Sequence, residues 1–498
     1  MPSLTQHELC DLLGIPCPGG VAFTASSVTE DSRRVRPGAV FVAAPGAHAD
    51  GHDFAAQAAA AGAVAIVGGR DGLAELCGLP YLRPADPRTA PGLLAHALAG
   101  NPTTRLRVLG VTGTNGKTST AHLVRAVLDH AGHSCANFGT IGYEIGGTLH
   151  NAPHTTPFAE DLAAMFDRAE TAGHTHVVME VSSHALDQER VAGVRFVAAG
   201  FTNLTRDHLD YHGDMDSYRD AKLKLFTRIE PSADMGDDPH FTVVNAEDPA
   251  APHFVAASRV PCHRYGAGGD VRAEKVRLDF GGAAFRLATP FGAADVRTRL
   301  IGRHNLSNAL CAAALCAGLG VPVEAVAAGL GTLASVAGRF EPVDAGQPFY
   351  VIVDYAHTDD GLSNVLRAAR ALCRGRIITL FGCGGDRDKG KRPKMGNVAA
   401  TLSDFCILTS DNPRTEDPHR ILLDVEVGMQ RADRRKGDDY LVIESREEAI
   451  RTAIALAKPG DLVMIAGKGH ENYQIIGTER RHFDDREEAM AALKALKP

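Results

Sequence analysis

The sequence predicts an α/β protein of three domains built on doubly wound, mostly parallel sheets. Short apolar, β-branched runs recur along the chain, each ends in a polar, glycine-containing cluster, and helical patterns separate them. One run opens into a glycine turn and a Lys-Thr pair at the head of a helix. The length, 498 residues, is what about three ordinary domains require. The expected partition is a small N-terminal α/β domain over 1–102, a central P-loop ATPase-like domain over 103–336 and a C-terminal Rossmann-like domain over 337–498.

Composition narrows the classes. A hydrophobic share of 44% with 22% charged residues is that of a soluble globular protein. A net charge of −8 argues against a nucleic-acid partner. Ten cysteines lie scattered without a CxxC pair, which fits free thiols in a reducing compartment better than disulfides or a zinc site. MPSLTQHELCDLL has no basic stretch followed by an apolar run, so no signal peptide is expected. The most apolar stretch, Asn308 to Val321, is too short for a bilayer and reads as a buried helix. The expectation is a cytoplasmic chain without membrane insertion, and a monomer.

In the first domain, Val40–Gly46 and Ala63–Gly69 read as strands, and Asp53–Gly62 as the helix between them. Asp31-Ser32-Arg33 and Ala47-His48-Ala49-Asp50-Gly51 are, on composition alone, turns. Asn101-Pro102 makes the linker.

The second domain opens on the stretch from Leu106 to Gly132. Leu106, Val108, Leu109 and Val111 form a buried strand, Gly113, Asn115 and Gly116 a turn, and Leu123, Val124, Val127 and Leu128 the buried side of a helix. Unpaired backbone N–H groups at such a helix start make an anion site. Lys117 would reach the β/γ-phosphates of a nucleoside triphosphate and Thr118 would hold Mg²⁺. The strict spacing wants glycine at 111, where this chain has Val, so the loop is a variant, Thr-Gly-Thr-Asn-Gly-Lys-Thr.

Two later strands end in polar tips: Val177 to Val191, with Glu180, two serines and His184, and Ala198 to Gly213, with Asn203, Arg206, Asp207, His208, Asp210 and His212. In a parallel sheet ligands bind beyond the carboxyl ends of the strands, so these tips collect beside the phosphate loop. Glu180 and His208 are suitable ligands for a divalent ion on phosphate oxygens. His212 reads as a solvated loop residue, and Lys222, in a helical stretch, as a surface charge. Leu300 to Gly320 places Arg303, His304 and Asn305 ahead of an alanine-rich helix.

The third domain shows four apolar strands, within 350–358, 376–393, 405–414 and 462–471, whose loops gather Asp354, Arg387, Asn412, Arg414, Lys468 and Glu471. Gly382-Cys383-Gly384-Gly385 fails the GxGxxG spacing, because Arg387 falls where the third glycine belongs. Arg387, Lys389, Lys391 and Arg392 read either as an anion site or as a solvated charge run.

A phosphate loop flanked by two α/β domains with polar tips fits a ligase that joins an acid to an amine. A carboxylate must be phosphorylated before an amine can displace its oxygen, and the protein's part is positioning and charge neutralisation.

Taken together, TGTNGKT (112–118), MEVSSHAL (179–186), FTNLTRDHLDYHG (201–213), GRHNLSNAL (302–310), DYAHT (354–358), FGCGGDRDKGKRPKMG (381–396), DNPRTEDP (411–418) and AGKGHE (466–471) closely resemble the Mur ligase family. The resemblance covers essentially the whole chain, in order. It is nearest to the branch that adds a diamino acid to UDP-N-acetylmuramoyl-L-alanyl-D-glutamate (UDP-MurNAc-L-Ala-D-Glu) in peptidoglycan synthesis. It implies that Gly113, Thr114, Asn115, Gly116, Lys117, Thr118 and Ser119 bind ATP, with Asn305, Arg339 and Asp354 also around the nucleotide. Thr118 and Glu180 would hold Mg²⁺ and His208 a second Mg²⁺. Lys222 matches the family's carbamylated lysine, a metal-binding oxygen ligand, so its reading as a surface charge is reversed. Lys117, Lys222 and His208 would carry the catalysis. Ser32, Ala47, His48 and Ala49 would hold the uridine end, and Thr155, Thr156, Ser182, Gln188 and Arg190 the muramoyl-dipeptide. Arg387, Asp411, Asn412, Pro413, Arg414, Gly467 and Glu471 would bind the incoming amino acid.

The resemblance also implies the amine: Asp411-Asn412-Pro413-Arg414 matches the loop version associated with meso-diaminopimelate. Arg414 can grip that substrate's distal carboxylate and Glu471 its ammonium, whereas lysine or ornithine would leave Arg414 unpaired. Two positions depart from the family's pattern: His154 stands where Asn often precedes the Thr-Thr pair, and Asp359 where proline commonly follows DYAHT. The competing readings are the same ligase using lysine or ornithine, a folylpolyglutamate synthase-like ligase, and a phosphate-loop ATPase switch.

Overall fold

The computed structural model describes residues 3–19, 22–45, 49–231 and 238–496. The chain is α/β throughout and divides into two compact units. One comprises Met1–Arg272, Thr289–Gly292 and Cys311–Gly329; the other comprises Ala273–Ala288, Ala293–Leu310 and Leu330–Pro498.

Besides a two-stranded pair, Leu4–Thr5 with Thr24–Ala25, the first unit carries two larger sheets. A five-stranded sheet runs in the order Ser27–Thr29, Ala39–Ala43, Ala65–Gly68, Leu79–Leu82 and Glu75–Leu76, parallel except for the last pair. Ala39–Ala43 and Ala65–Gly68 are buried along their whole length, so both read as apolar runs without alternation. The single helix expected over Asp53–Gly62 is a 3₁₀ turn, Gly51–Phe54, followed by a short helix, Ala55–Ala60.

The eight-stranded sheet has the order Thr148–His150, Tyr143–Ile145, Cys135–Phe138, His176–Glu180, Arg107–Thr112, Phe196–Phe201, Phe241–Asn245 and Cys262–Tyr265. All neighbours from Cys135–Phe138 onward pair in parallel. The strand Arg107–Thr112 is central, with Glu180 opposite Val111 on one side and Phe201 opposite Thr112 on the other. That register brings the ends of three strands level, which is where the polar tips meet. Phe138, Phe166, Met179, Phe196, Phe201, Phe226 and Phe254 fill the core, each contributing roughly 1.5–3 kcal/mol on burial.

A glycine within the central strand decides how the next helix packs. A Cβ at Gly110 would lie 3.1 Å from both Leu225 Cδ1 and the Phe196 ring. Its absence lets the helix Met215–Thr227 lie close on the strand, and this helix carries Lys222.

The second unit is built on a six-stranded sheet: Glu341–Pro342, Tyr350–Asp354, Leu462–Ala466, Ile377–Phe381, Phe405–Leu408 and Tyr440–Val442. All but the first pair are parallel. The helix Asp359–Leu372 starts on the Thr358 cap, so Asp359 opens a helix as expected in place of proline. A three-stranded sheet, Arg272–Asp279, Gly282–Thr289 and Gly292–Thr298, had no counterpart in the sequence reading.

Candidate active site

The phosphate loop follows the central strand directly. Gly113 sits at φ +146°, and a Cβ there would overlap the Thr202 hydroxyl. Gly116, at φ +85°, caps the helix Lys117–His130. The neighbouring strand end clamps the turn: Thr114 N–H donates to the Asn203 carbonyl (2.8 Å), Asn115 N–H to Asn203 Oδ1 (2.9 Å), and Thr202 Oγ1 to the Asn115 carbonyl (2.6 Å). Lys117 folds over this loop, donating to the carbonyls of Gly113 (2.9 Å) and Thr114 (2.8 Å). Ser119 is buried one residue beyond Thr118 in the first helical turn.

Glu180, 1% exposed at the end of its strand, is the junction of the site. Its carboxylate accepts from the Thr118 hydroxyl (3.0 Å), the Thr140 N–H (2.8 Å) and the Thr140 hydroxyl (3.1 Å). Thr140 Oγ1 lies 3.1 Å from Thr155 Oγ1. Sequence reasoning missed Thr140, although Gly139-Thr140-Ile141-Gly142 is another glycine-flanked strand end. The backbone carbonyl of Glu180 accepts from the Thr156 hydroxyl (2.8 Å), which itself accepts from Ser182 N–H (3.0 Å). Ser182 then caps the short helix Ser183–Asp187. Arg190 donates to Gln188 Oε1 (3.0 and 2.7 Å) and to the Thr156 carbonyl (3.2 Å), with its guanidinium 4.1 Å from the Phe158 ring centroid. Thr118, Glu180, Thr155, Thr156, Ser182, Gln188 and Arg190 thus form one connected network. His154 reaches it through its backbone, whose carbonyl accepts from Tyr143, while its ring packs edge-on against Phe158.

Lys222 is 1% exposed. Its Nζ donates to the Gly113 carbonyl (3.0 Å), the oxygen that Lys117 also uses, and lies 4.4 Å from the Tyr218 ring centroid. Burial, with the Lys117 cation beside it, drives its pKa well below the ordinary lysine value. Two ammonium groups on one carbonyl oxygen repel, which disfavours the charged form of the buried one. A surface role for Lys222 is excluded.

His208 takes a left-handed conformation (φ 53°) at the head of Leu209–His212. Its ring packs edge-on against His184 with centroids 4.8 Å apart. It also lies near the Tyr218 ring and the Asp207 carboxylate. His212 corrects its reading as a solvated residue: it is half-buried, 2.9 Å from Ser183 Oγ, with its ring between His184 and Tyr218. Burial and the adjacent imidazoles push His184 down to about 4.

In the five-stranded sheet region, Ser32 Oγ donates to Gln57 Oε1 (3.1 Å) within a 3₁₀ turn capped by Asp31. Ala49 is exposed in a bend; Ala47 and His48 lie outside the described residues.

The second unit holds the remaining predicted residues. Asn305 is buried and spends its side chain locally, donating to the Ile301 carbonyl (2.9 Å) and accepting from Asn308 (3.1 Å). Asp354 accepts from the N–H groups of Phe340 (2.7 Å) and Ala356 (2.8 Å). Burial pushes its carboxyl up to about 6, against the opposing pull of Arg339. The Arg339 guanidinium lies 4.8 Å from the Tyr355 ring centroid.

Two strand ends make a wall of alternating charge. Asn412 donates to Glu471 Oε2 (2.9 Å), and the fully buried Lys468 donates to Asn412 Oδ1 (3.2 Å) and Glu471 Oε2 (3.3 Å). Burial, with Asp411 nearby, raises the Glu471 carboxyl. Arg414, at φ 52°, donates to the Gly385 carbonyl (2.7 Å), and Gly385 N–H donates back to the Asn412 carbonyl (2.9 Å). Pro413 is buried between them, and Gly467 lies against the Asp411 carboxylate. Opposite charges spaced along one wall suit a zwitterion.

The basic run 387–392 divides: its first half is solvated, as one of the two alternatives held, and its end is tied down by ion pairs and a hydrogen bond. Arg392 is 1% exposed and bonded to Glu416 (2.9 Å) and Asp424 (2.9 Å), Lys389 pairs with Glu416, and Lys391 donates to the His357 carbonyl. Arg387 and Lys389 stay exposed, Arg387 donating to the Asp386 carbonyl. The acids that claim these side chains lie 24 or more positions along the chain, beyond what a local charge pattern reveals.

By fold and loop geometry the first unit is of the phosphate-loop, nucleotide-binding α/β class. Residues 111–316 match the Mur ligase middle domain, 338–469 the Mur ligase, glutamate ligase domain, and 24–89 the Mur ligase family, catalytic domain. The UDP-N-acetylmuramoyl-L-alanyl-D-glutamate–2,6-diaminopimelate ligase of Geobacter sulfurreducens is 47% identical, covering 93% of this chain and 94% of that protein. Its namesake from Syntrophomonas wolfei is 44% identical over 94% of each. A solved structure bearing the same enzyme name is 32% identical, with a TM-score of 0.69 over 98% of both chains. The chain belongs to the Mur ligase family.

Proposed function

We propose that this chain is an ATP-dependent amide ligase of the MurE type. It joins an amino group of meso-2,6-diaminopimelate to the D-glutamyl γ-carboxylate of UDP-MurNAc-L-Ala-D-Glu, a step of peptidoglycan synthesis in the cytoplasm. The observation that carries this reading is Glu180. Its carboxylate meets the phosphate-loop Thr118 and its backbone carbonyl meets Thr156 of the segment assigned to the acceptor. One residue therefore joins the two segments assigned to the reactants of a phosphoryl transfer.

In the first half-reaction the acceptor carboxylate attacks the γ-phosphorus, giving an acyl phosphate and ADP. In the second, the amine attacks the acyl carbon, phosphate leaves, and the nitrogen gives up a proton. The loop from Gly113 to Ser119 and Lys117 bind the phosphates. Asn305, Arg339 and Asp354 are assigned to the same nucleotide. Thr155, Thr156, Ser182, Gln188 and Arg190 orient the acceptor, and Ser32, Ala47, His48 and Ala49 hold its uridine end. Arg387, Asp411, Asn412, Pro413, Arg414, Gly467 and Glu471 receive the diamino acid, Arg414 taking its distal carboxylate and Glu471 its ammonium.

Thr118 and Glu180 are hard oxygen donors in contact, a donor set that fits Mg²⁺, and His208 is assigned to a second ion. When bound, Mg²⁺ supplies neutralisation of phosphate charge. Lys222 fits a carbamate: its neutral amine can add to CO₂, losing one proton and becoming an anion beside the Lys117 cation. Residues 1–102, 103–336 and 337–498 act as substrate, ATP and amino-acid domains of a monomer. Among the described residues no helix is long and apolar enough to cross a membrane.

Phosphate release is the test, with ATP, Mg²⁺ and UDP-MurNAc-L-Ala-D-Glu, offering meso-diaminopimelate, L-lysine or L-ornithine separately. Turnover with diaminopimelate alone is expected. Turnover with lysine or ornithine instead keeps the ligase and overturns the reading of Arg414; silence with all three overturns the function.

A further inference from the structure

Arg446 belongs to no motif and had no place in the reading of the site, yet it is among the largest fully buried side chains. It opens the helix Arg446–Leu456, and Asp485 opens the helix Asp485–Ala495. The two make a bidentate pair, Nε to Oδ1 and Nη2 to Oδ2, each 2.7 Å, with both side chains at 0% exposure. A fork of this kind fixes the guanidinium plane and leaves its other N–H groups aimed.

Those remaining donors land on two backbone carbonyls. Nη2 donates to Ala466 (3.0 Å) and Nη1 reaches Ser410 (3.5 Å). Ala466 is the last residue before Gly467 to Glu471, and Ser410 the last before Asp411 to Arg414. One buried cation therefore fastens the roots of both loops that make the charged wall, and the Asp411 and Glu471 carboxylates lie within range of its charge. A pair that served only the core would not need to reach both roots, since a buried ion pair is seldom a net stabiliser over well-packed apolar groups.

We propose that Arg446, oriented by Asp485, is a positioning residue for the amino-acid substrate: it sets the register of the 411–414 loop against the 467–471 loop, and so the spacing between Arg414 and Glu471. This rests on the proposed diamino-acid site. It makes discrimination between diaminopimelate and lysine depend on a side chain that touches neither.

The test is steady-state kinetics of the full chain as wild type, R446K and R446M/D485L. The double variant removes both charges together, so no unpaired ion is left buried. In both variants the KM for diaminopimelate is expected to rise at least tenfold and its kcat/KM advantage over L-lysine to fall at least tenfold. The KM for ATP stays within twofold. A lowered Tm with the diaminopimelate KM and the preference unchanged would assign the pair to the core alone and overturn the proposal. Should neither variant accumulate as folded protein, D485N decides, since it keeps the arginine but loosens its fork: a threefold or greater rise in that KM supports the proposal, and an unchanged KM overturns it. Failure of the wild type to use diaminopimelate would instead overturn the function on which the proposal rests.

Discussion

Exchanging Glu180 for glutamine separates the site's chemistry from its fold. The carboxylate accepts three hydrogen bonds, from Thr118 Oγ1, Thr140 N and Thr140 Oγ1, at 2.8–3.1 Å. In Glu180→Gln the amide oxygen can keep the Thr140 N–H, the one donor that cannot turn away. The two threonine hydroxyls can rotate to accept from the new NH₂ group. A bond to a charged acceptor is worth about 1.5–3 kcal/mol and a neutral one about 0.5–1.5, so the three contacts lose roughly 3 kcal/mol together. Removing a buried charge offsets part of that loss, and a net change within ~2 kcal/mol moves Tm by only a few degrees in a chain this long. The charge proposed to bind Mg²⁺, by contrast, is gone. We expect the Mg²⁺ concentration for half-maximal phosphate release to rise at least tenfold, read in a Mg²⁺ titration at saturating ATP with the variant's melting curve as control. An unchanged Mg²⁺ dependence in a folded variant would refute the assignment of Glu180.

Arg414→Ala takes away the two charge-assisted bonds proposed for the distal carboxylate; at about 1.5–3 kcal/mol each, kcat/KM for diaminopimelate will fall a hundredfold or more with the KM for ATP little changed. Equal effects on both substrates would count against it. Lys222→Ala will abolish amide formation, and added formate or acetate will restore part of it; full activity without rescue would remove the carbamate. Asp354 has a folded-state pKa of about 6, above its ordinary value of about 3.9, so the native state holds a proton that the unfolded chain has released. Its contribution to stability is therefore present at low pH and declines as pH rises through that window, by about 1 kcal/mol between pH 5 and 7. Urea melts at the two pH values will show that decline in the wild type and not in Asp354→Asn; equal slopes would place the burial effect elsewhere.

What the sequence disclosed follows the range of the interactions involved. The phosphate loop was legible because a buried strand, a glycine turn and a helix start are contiguous in the chain. Glu180 was legible because a parallel sheet brings strand ends together, and the observed register sets it opposite Val111. Thr140 lies on another strand end and reaches the site only through its hydrogen bonds to Glu180, which leave no local pattern. Lys222 has the spacing of a surface charge, yet it is buried against the Gly113 carbonyl and the Tyr218 ring, contacts that no local pattern reveals. Arg392 was misread because its partners, Glu416 and Asp424, lie on distant segments, and Arg446 was overlooked because Asp485 is 39 positions away.

Glu180 is also where two tasks become inseparable. Its carboxylate serves the phosphate loop while its carbonyl, one bond from the same Cα, receives Thr156. Any substitution that re-seats the 155–156 segment to accept a different acid will tug on the carboxylate as well, so nucleotide and acceptor traits will be inherited together. Double variants across that residue will depart from the sum of their single effects. A route toward new acceptors therefore runs through compensating pairs of changes, and single replacements at Thr155 or Thr156 are poor first steps along it.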